Sequence, residues 1–142
     1  MIGKPLDAAD YPVAETRPET VKGARGRSLD DLTLDAVVNG DVTMEDMRIT
    51  PEALLVQAQI AQSVDRTSLA ENFERAAEMT SISQEDVIKI YELLRPGRAA
   101  SGDELLTAAK YLEENYDAKR LASFLREAAE VYERRGLFQV RF

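Results

Sequence analysis

Apolar side chains recur at spacings of three and four from about residue 29 onward, the period of helices that pack along one face. Leu29 and Leu32 open this texture. Thr33 is placed to cap a short helix over 34–39, which Gly40 suits as a terminator, and Thr43 can start another turn within 42–48 with Glu45 and Asp46 near its positive end. Thr50-Pro51-Glu52 combines a capping threonine, a proline at the first helical position and a carboxylate facing the dipole, so a helix is expected from 51. No proline or glycine follows until Pro96. Leu54, Ala58, Ala61 and Val64 form one stripe, and Leu69, Phe73, Ala76 and Ala77 a second. Ser68 with Glu71 has the form of a capping box, so 51–80 reads either as one helix or as two with a break at 66–68.

Ser83 is expected to cap the next helix. Its Val87, Ile88, Ile90, Tyr91, Leu93 and Leu94 lie nearly all round the axis, as in a helix covered on several sides, and Pro96-Gly97 ends it. Ser101 with Glu104 suggests a further capping box ahead of the stripe Leu105, Ala108, Ala109, Leu112 and Tyr116. Asp117 is expected to cap the last helix, whose stripe is Leu121, Phe124, Leu125, Ala128 and Tyr132. Arg134 and Arg135 suit its negative end, and Gly136 closes it. Only 137–142 alternates well enough for a strand; it reads equally as an extended tail that packs Phe138 and Phe142 on a partner. The expected fold is all-α, an open up-and-down helical bundle over 29–142.

Residues 1–28 contain three prolines and three glycines, and their apolar side chains follow no period. They read either as a disordered tail or as an extended arm that orders on a partner subunit, with Tyr11-Pro12-Val13 as the docking part.

Composition narrows the chemistry. The 142 residues include no histidine and no cysteine, which removes the commonest general base, the commonest transition-metal ligands, thiol nucleophiles and disulfides. The net charge is −8. Residues 1–33 hold six acidic and five basic side chains, so of the totals of 26 and 18 the remainder carries 20 and 13, and the helical body is the acidic part. An acidic surface repels phosphate backbones, which argues against a nucleic-acid partner. Neither a bilayer-length apolar run nor a secretory leader is visible, and the cytoplasm is the expected location.

Several constellations have residue types and spacings that a site could use. Glu71, Glu74 and Glu78 share a face with Arg75, as acid–base work or a hard metal would need, but a helix surface with an internal ion pair explains the same spacing. Glu127 and Glu130, with Arg126 and Arg134, admit the same two readings. Arg95 and Arg98 bracket Pro96-Gly97 and could grip a phosphate or a carboxylate of another chain, or simply complement a helix end. Gln57 and Gln59 could hydrogen-bond across an interface. Gly23-Ala24-Arg25-Gly26 lacks the spacing, lysine and preceding strand of a phosphate loop, and no serine sits in a nucleophile elbow. No residue is assigned as catalytic, cofactor-binding or metal-ligating. The physical reading stops at a helical subunit or a free-standing helical adaptor that binds a peptide in a groove; an independent glutamate-based metal lyase ranks last.

Ordered strings carry the reading further. They run from Asp10-Tyr11-Pro12 and Thr16-Arg17-Pro18-Glu19 through Leu32-Thr33-Leu34 to Arg48-Ile49. Gln57-Ala58-Gln59-Ile60-Ala61, Asn72-Phe73 and Arg75-Ala76-Ala77-Glu78 follow, then Ile90-Tyr91, Leu94-Arg95-Pro96, Arg98, Phe124, Arg126-Glu127 and Ala129-Glu130-Val131-Tyr132. Over 10–134 this set resembles the small subunits of adenosylcobalamin-dependent diol and glycerol dehydratases, with Thr67 where a histidine is expected. The resemblance implies a dimer of three-subunit units, whose large subunit is a (β/α)₈ barrel holding substrate and a metal ion. It implies adenosylcobalamin between the large and medium subunits, and radical dehydration of 1,2-propanediol or glycerol to an aldehyde. The small subunit is then a non-catalytic partner of the large one, binding no cofactor itself. The choice of substrate lies in the large subunit's pocket, and some relatives sit in a bacterial microcompartment.

Overall fold

A computed structural model describes residues 4–138. The fold is all-α: among the described residues there is no strand, only an isolated antiparallel bridge between Lys22 and Ser28. Contacts divide the chain into two compact units, one up to Thr80 and one from Ser81.

In the first unit, residues 4–28 carry short turns of 3₁₀-helix and one helical turn, α1 (Val13–Thr16). This segment is tied down at its start, where the Leu6 and Ala8 amides donate to Gln59 Oε1 (3.3 Å) and Ser63 Oγ (3.1 Å), and Val13 is buried. Gln59 Oε1 is therefore engaged within its own unit. Thr33 caps α2 (Leu34–Val38) by accepting from the Ala36 amide, and Gly40 follows at φ +80°. Thr43 precedes α3 (Met44–Met47). Thr50 caps α4 (Pro51–Ser63) with Pro51 at its first position, as its sequence requires.

The 51–80 stretch is two helices. Asp65 takes a left-handed conformation (φ 58°), and α5 (Thr67–Met79) begins after it. The break lies where expected, but the Ser68–Glu71 box does not form: Arg66 stands at the cap position and no side chain caps the helix. α4 packs on α5 through Ala58, Ala61, Ala70 and Phe73. Small residues dominate this contact, which lets the two axes approach closely. Val64 and Leu69, both placed in the stripes, are instead exposed, while Ala61 and Ala70 beside them face the seam.

Arg25 fixes the N-terminal segment to α3. Its guanidinium donates to both carboxylate oxygens of Asp46 (2.8 and 2.7 Å) and to the Asp41 carbonyl (2.8 Å). The Thr43 amide donates to the same carboxylate at 2.9 Å, so the Asp46 side chain is fully buried yet completely hydrogen-bonded. The Arg25 hydrogen bonds, and after them the Thr43 amide, hold the Asp46 carboxyl below its ordinary pKa. Gly23 lies so close that an added Cβ would come within 2.7 Å of the Asp46 carbonyl oxygen.

The second unit comprises α6 (Gln84–Leu94), α7 (Gly102–Tyr116) and α8 (Lys119–Arg135). Ser83 caps α6 through the Asp86 amide (3.3 Å). α7 starts after Ser101 without a side-chain cap, and Glu104 accepts from the Ala100 amide (3.3 Å) rather than from Ser101, so the expected reciprocal box does not form. Asp117 does not cap α8. It ends α7 in the left-handed conformation (φ 52°), and Ala118, almost fully buried, leads into α8. This tight turn brings α7 and α8 together. Leu112, Ala109, Leu121, Ala122 and Leu125 close one cluster, while Leu105, Ala99 and Ala129 close another. A fully buried leucine contributes about 1.5–3 kcal/mol, so Leu105, Leu112 and Leu125 dominate this unit.

Gly136 ends α8 in a left-handed cap. Leu137 then accepts from the Gly97 amide (3.0 Å), and the Phe138 ring meets Tyr132 edge-on at 5.9 Å. Phe138 thus packs on its own unit, because the cap turns the chain back over α8. Residues 139–142, with Phe142 and most of the expected strand, lie outside the described residues.

Candidate functional site

The acidic constellations lie on two helices, Glu71, Glu74 and Glu78 on α5 and Glu127 and Glu130 on α8. Glu71, Glu127 and Glu130 are exposed. Arg75 hydrogen-bonds Asn72 on its own helix. Arg126, expected beside Glu127 and Glu130, instead crosses to α7 and grips Glu113 with two hydrogen bonds (2.9 and 2.6 Å), holding the Glu113 carboxyl below its ordinary pKa. Arg95 and Arg98 both turn onto Glu92, at 3.1 and 3.7 Å, so the helix-end reading describes them. Among the described residues no group of three metal-ligating side chains comes together.

The polar centre of the second unit is Asp86. Its carboxylate accepts from Tyr116 Oη (2.6 Å) and Tyr111 Oη (3.0 Å) and lies 3.3 Å from Lys89 Nζ. The Tyr116 hydrogen bond leads in lowering the Asp86 pKa, with Tyr111 and Lys89 adding to it against the cost of burial. The same carboxylate raises the Tyr111 pKa, so this phenol stays protonated at neutral pH. Asp86 is thereby locked as an acceptor, with all its neighbours donating to it, which suits a hydrogen-bonded structural knot rather than a proton-transfer group. The sequence marks Asp86 only as a first-turn carboxylate; tyrosines 25 and 30 positions away on another helix give no local signal of the pairing. A cavity of about 580 Å³ opens beside this knot, lined by Ile90, Leu93, Thr107, Ala108, Tyr111 and Asp86. In the first unit a cavity of about 560 Å³ is lined by Tyr11, Val13, Val21, Gly23, Val56 and Gln57.

What distinguishes the chain is apolar surface. α6, expected to be covered on several sides, buries Ile90 but leaves Ile88 and Tyr91 more than half exposed. In the first unit Leu34, Val38, Met44, Met47 and Ile49 are all more than half exposed. Large apolar side chains gathered this way mark surfaces built for other proteins.

Residues 6–139 match the family of dehydratase small subunits. The chain belongs to that family. Two relatives, each named propanediol dehydratase small subunit, come from Citrobacter freundii and Salmonella typhimurium (strain LT2). They are 50% identical to this chain over 123 and 124 residues, spanning 87% of it and 71% of either relative. Membership in the dehydratase small subunits sets aside the free-standing adaptor, since a small subunit implies others. No described helix is long and apolar enough to cross a membrane.

Proposed function

We propose that the chain is the non-catalytic small subunit of an adenosylcobalamin-dependent propanediol or glycerol dehydratase, which turns 1,2-diols or glycerol into aldehydes. The observation that carries this is the 50% identity to propanediol dehydratase small subunits across most of the chain. Its role is to support assembly and stability of the large subunit by packing against it, in a dimer of units that each hold a large, a medium and a small subunit. Residues 1–28 act as an arm and 29–142 as the helical body. The enzyme works in the cytoplasm, with a protein-shelled microcompartment as its finer address.

Adenosylcobalamin does not fit the residues present here. The two cavities described above are of a size for drug-like molecules, smaller than a corrin with its nucleotide tail. The cofactor is therefore assigned to the large and medium subunits, and no residue of this chain to catalysis, cofactor or metal.

Co-expression with the large and medium subunits, followed by a cobalamin-dependent aldehyde assay, tests the reading. Alanine at Glu71, Glu74, Glu78, Glu127 or Glu130 is expected to leave turnover of the assembled enzyme within about twofold. A loss of about a thousandfold with assembly intact would reveal a catalytic carboxylate.

A further inference from the structure

We propose that residues 34–49 form the docking element by which this chain grips another dehydratase subunit, and that the surface they meet is an apolar strip edged by lysine or arginine. This rests on the reading of the chain as a small subunit.

The first observation is that the segment is turned inside out. α2 buries none of its residues, although it contains Leu34, Val37 and Val38. α3 buries only its aspartate, Asp46, and leaves both methionines outside. Leu34, Val38 and Met44 are 78%, 75% and 73% exposed. A unit folding for itself would bury the methionines and solvate the carboxylate. Here Arg25 makes the opposite arrangement possible by neutralising Asp46 within the unit.

The second observation is that the segment is held rather than loose. Thr33 caps α2, the Asp41 and Val42 amides close back on the Ala36 carbonyl (2.9 and 3.1 Å), and Val42 is buried beneath. Arg25 fastens both Asp41 and Asp46. The apolar side chains are displayed on a shape already fixed, so docking loses little conformational freedom.

Charge selects the occupant. Residues 34–49 carry four acidic side chains and one basic, Arg48, which lies 3.5 Å from Glu45. Asp46 is consumed by Arg25, but Asp35 and Asp41 flank the exposed leucine and valines. A partner edged with basic residues complements this rim. A second copy of the chain, meeting it by the same patch, would set acid against acid, which costs affinity.

The test uses the 142-residue chain co-expressed with the large and medium subunits. Val38→Glu/Met44→Glu is expected to lower their co-purification by about tenfold or more, while Val38→Ile/Met44→Leu keeps it within about twofold. Because the chain has no cysteine, Val38→Cys adds a single thiol. In the assembled enzyme that thiol is expected to react with maleimide at least about tenfold more slowly than an exposed Glu71→Cys control, read by mass on this chain. The labelling result stands even where the double glutamate variant fails to fold. Equal labelling rates, or undiminished co-purification of a folded glutamate variant, would overturn the proposal and leave the small-subunit reading intact. Loss of a dimer of this chain alone, with co-purification unchanged, would also overturn it by assigning the patch to a second copy. A wild-type chain that binds neither subunit would instead remove the small-subunit reading itself.

Discussion

Leu105→Ala is expected to destabilise the second unit by about 2–5 kcal/mol, whereas Leu106→Ala, one residue along the same helix, should change stability by about 0.5 kcal/mol or less. Leu105 is completely enclosed by Ala99, Ala129 and their neighbours, and the atoms removed leave a cavity that rigid helices cannot close. Leu106 projects from the other side of α7 and is 46% exposed, so its truncation removes little packing within the unit. Leu112→Ala and Leu125→Ala belong with Leu105→Ala, since both side chains are fully buried in the neighbouring cluster. Urea titrations of the purified chain, followed by circular dichroism, separate the two classes. Similar midpoints for Leu105→Ala and Leu106→Ala would mean that the α7–α8 seam is placed wrongly.

Arg25→Ala is expected to lower the melting temperature by roughly 5 °C or more, an unusual cost for an arginine with a half-exposed side chain. The reason is the carboxylate left behind, because Asp46 has no exposed surface through which water could replace the guanidinium. Gly23→Ala should act at the same place by a different route. Its Cβ would collide with the Asp46 backbone, which cannot swing aside as a side chain tip could. The clamp also gives the stability a pH dependence of definite sign. Asp46 has a folded pKa below its ordinary value of 3.8, so its contribution is complete above that value. It shrinks as pH falls below the ordinary value and is gone below the depressed folded one. Asp86, lowered chiefly by Tyr116, acts in the same direction. Arg25→Ala should therefore narrow the stability difference between neutral pH and about pH 3. An unchanged difference would show that Arg25 does not set the Asp46 pKa.

The helices were largely legible because their signals are local. Thr33, Thr50 and Ser83 act through amides three residues away, and Gly40 and Gly136 take the left-handed conformations their positions suggest. Errors arose where a local signal has two outcomes. Asp117 is as suited to a left-handed end as to a cap, and the enclosed Ala118 decides for the former by packing into the α7–α8 core. The long-range contacts gave no signal of their own. Arg25 finds Asp46 over 21 positions, and Tyr116 finds Asp86 over 30. The exposed face of 34–49 could have been suspected, since helices as short as α2 and α3 cannot hide three valines and leucines on one side and two methionines on another. The family strings over 10–134 lie within the span 6–139 that matches the dehydratase small subunits, so the resemblance and the match agree.

The most direct measurement compares dehydratase made from the large and medium subunits with and without this chain, scored for recovered assembly, aldehyde formation and survival of activity over time. With the chain, a durable and active enzyme is predicted. Without it, the yield and lifetime of the assembly should fall steeply while any enzyme that does form keeps its chemistry. A fully active, equally durable enzyme lacking the chain, or diol dehydration by the purified chain alone, would contradict the account.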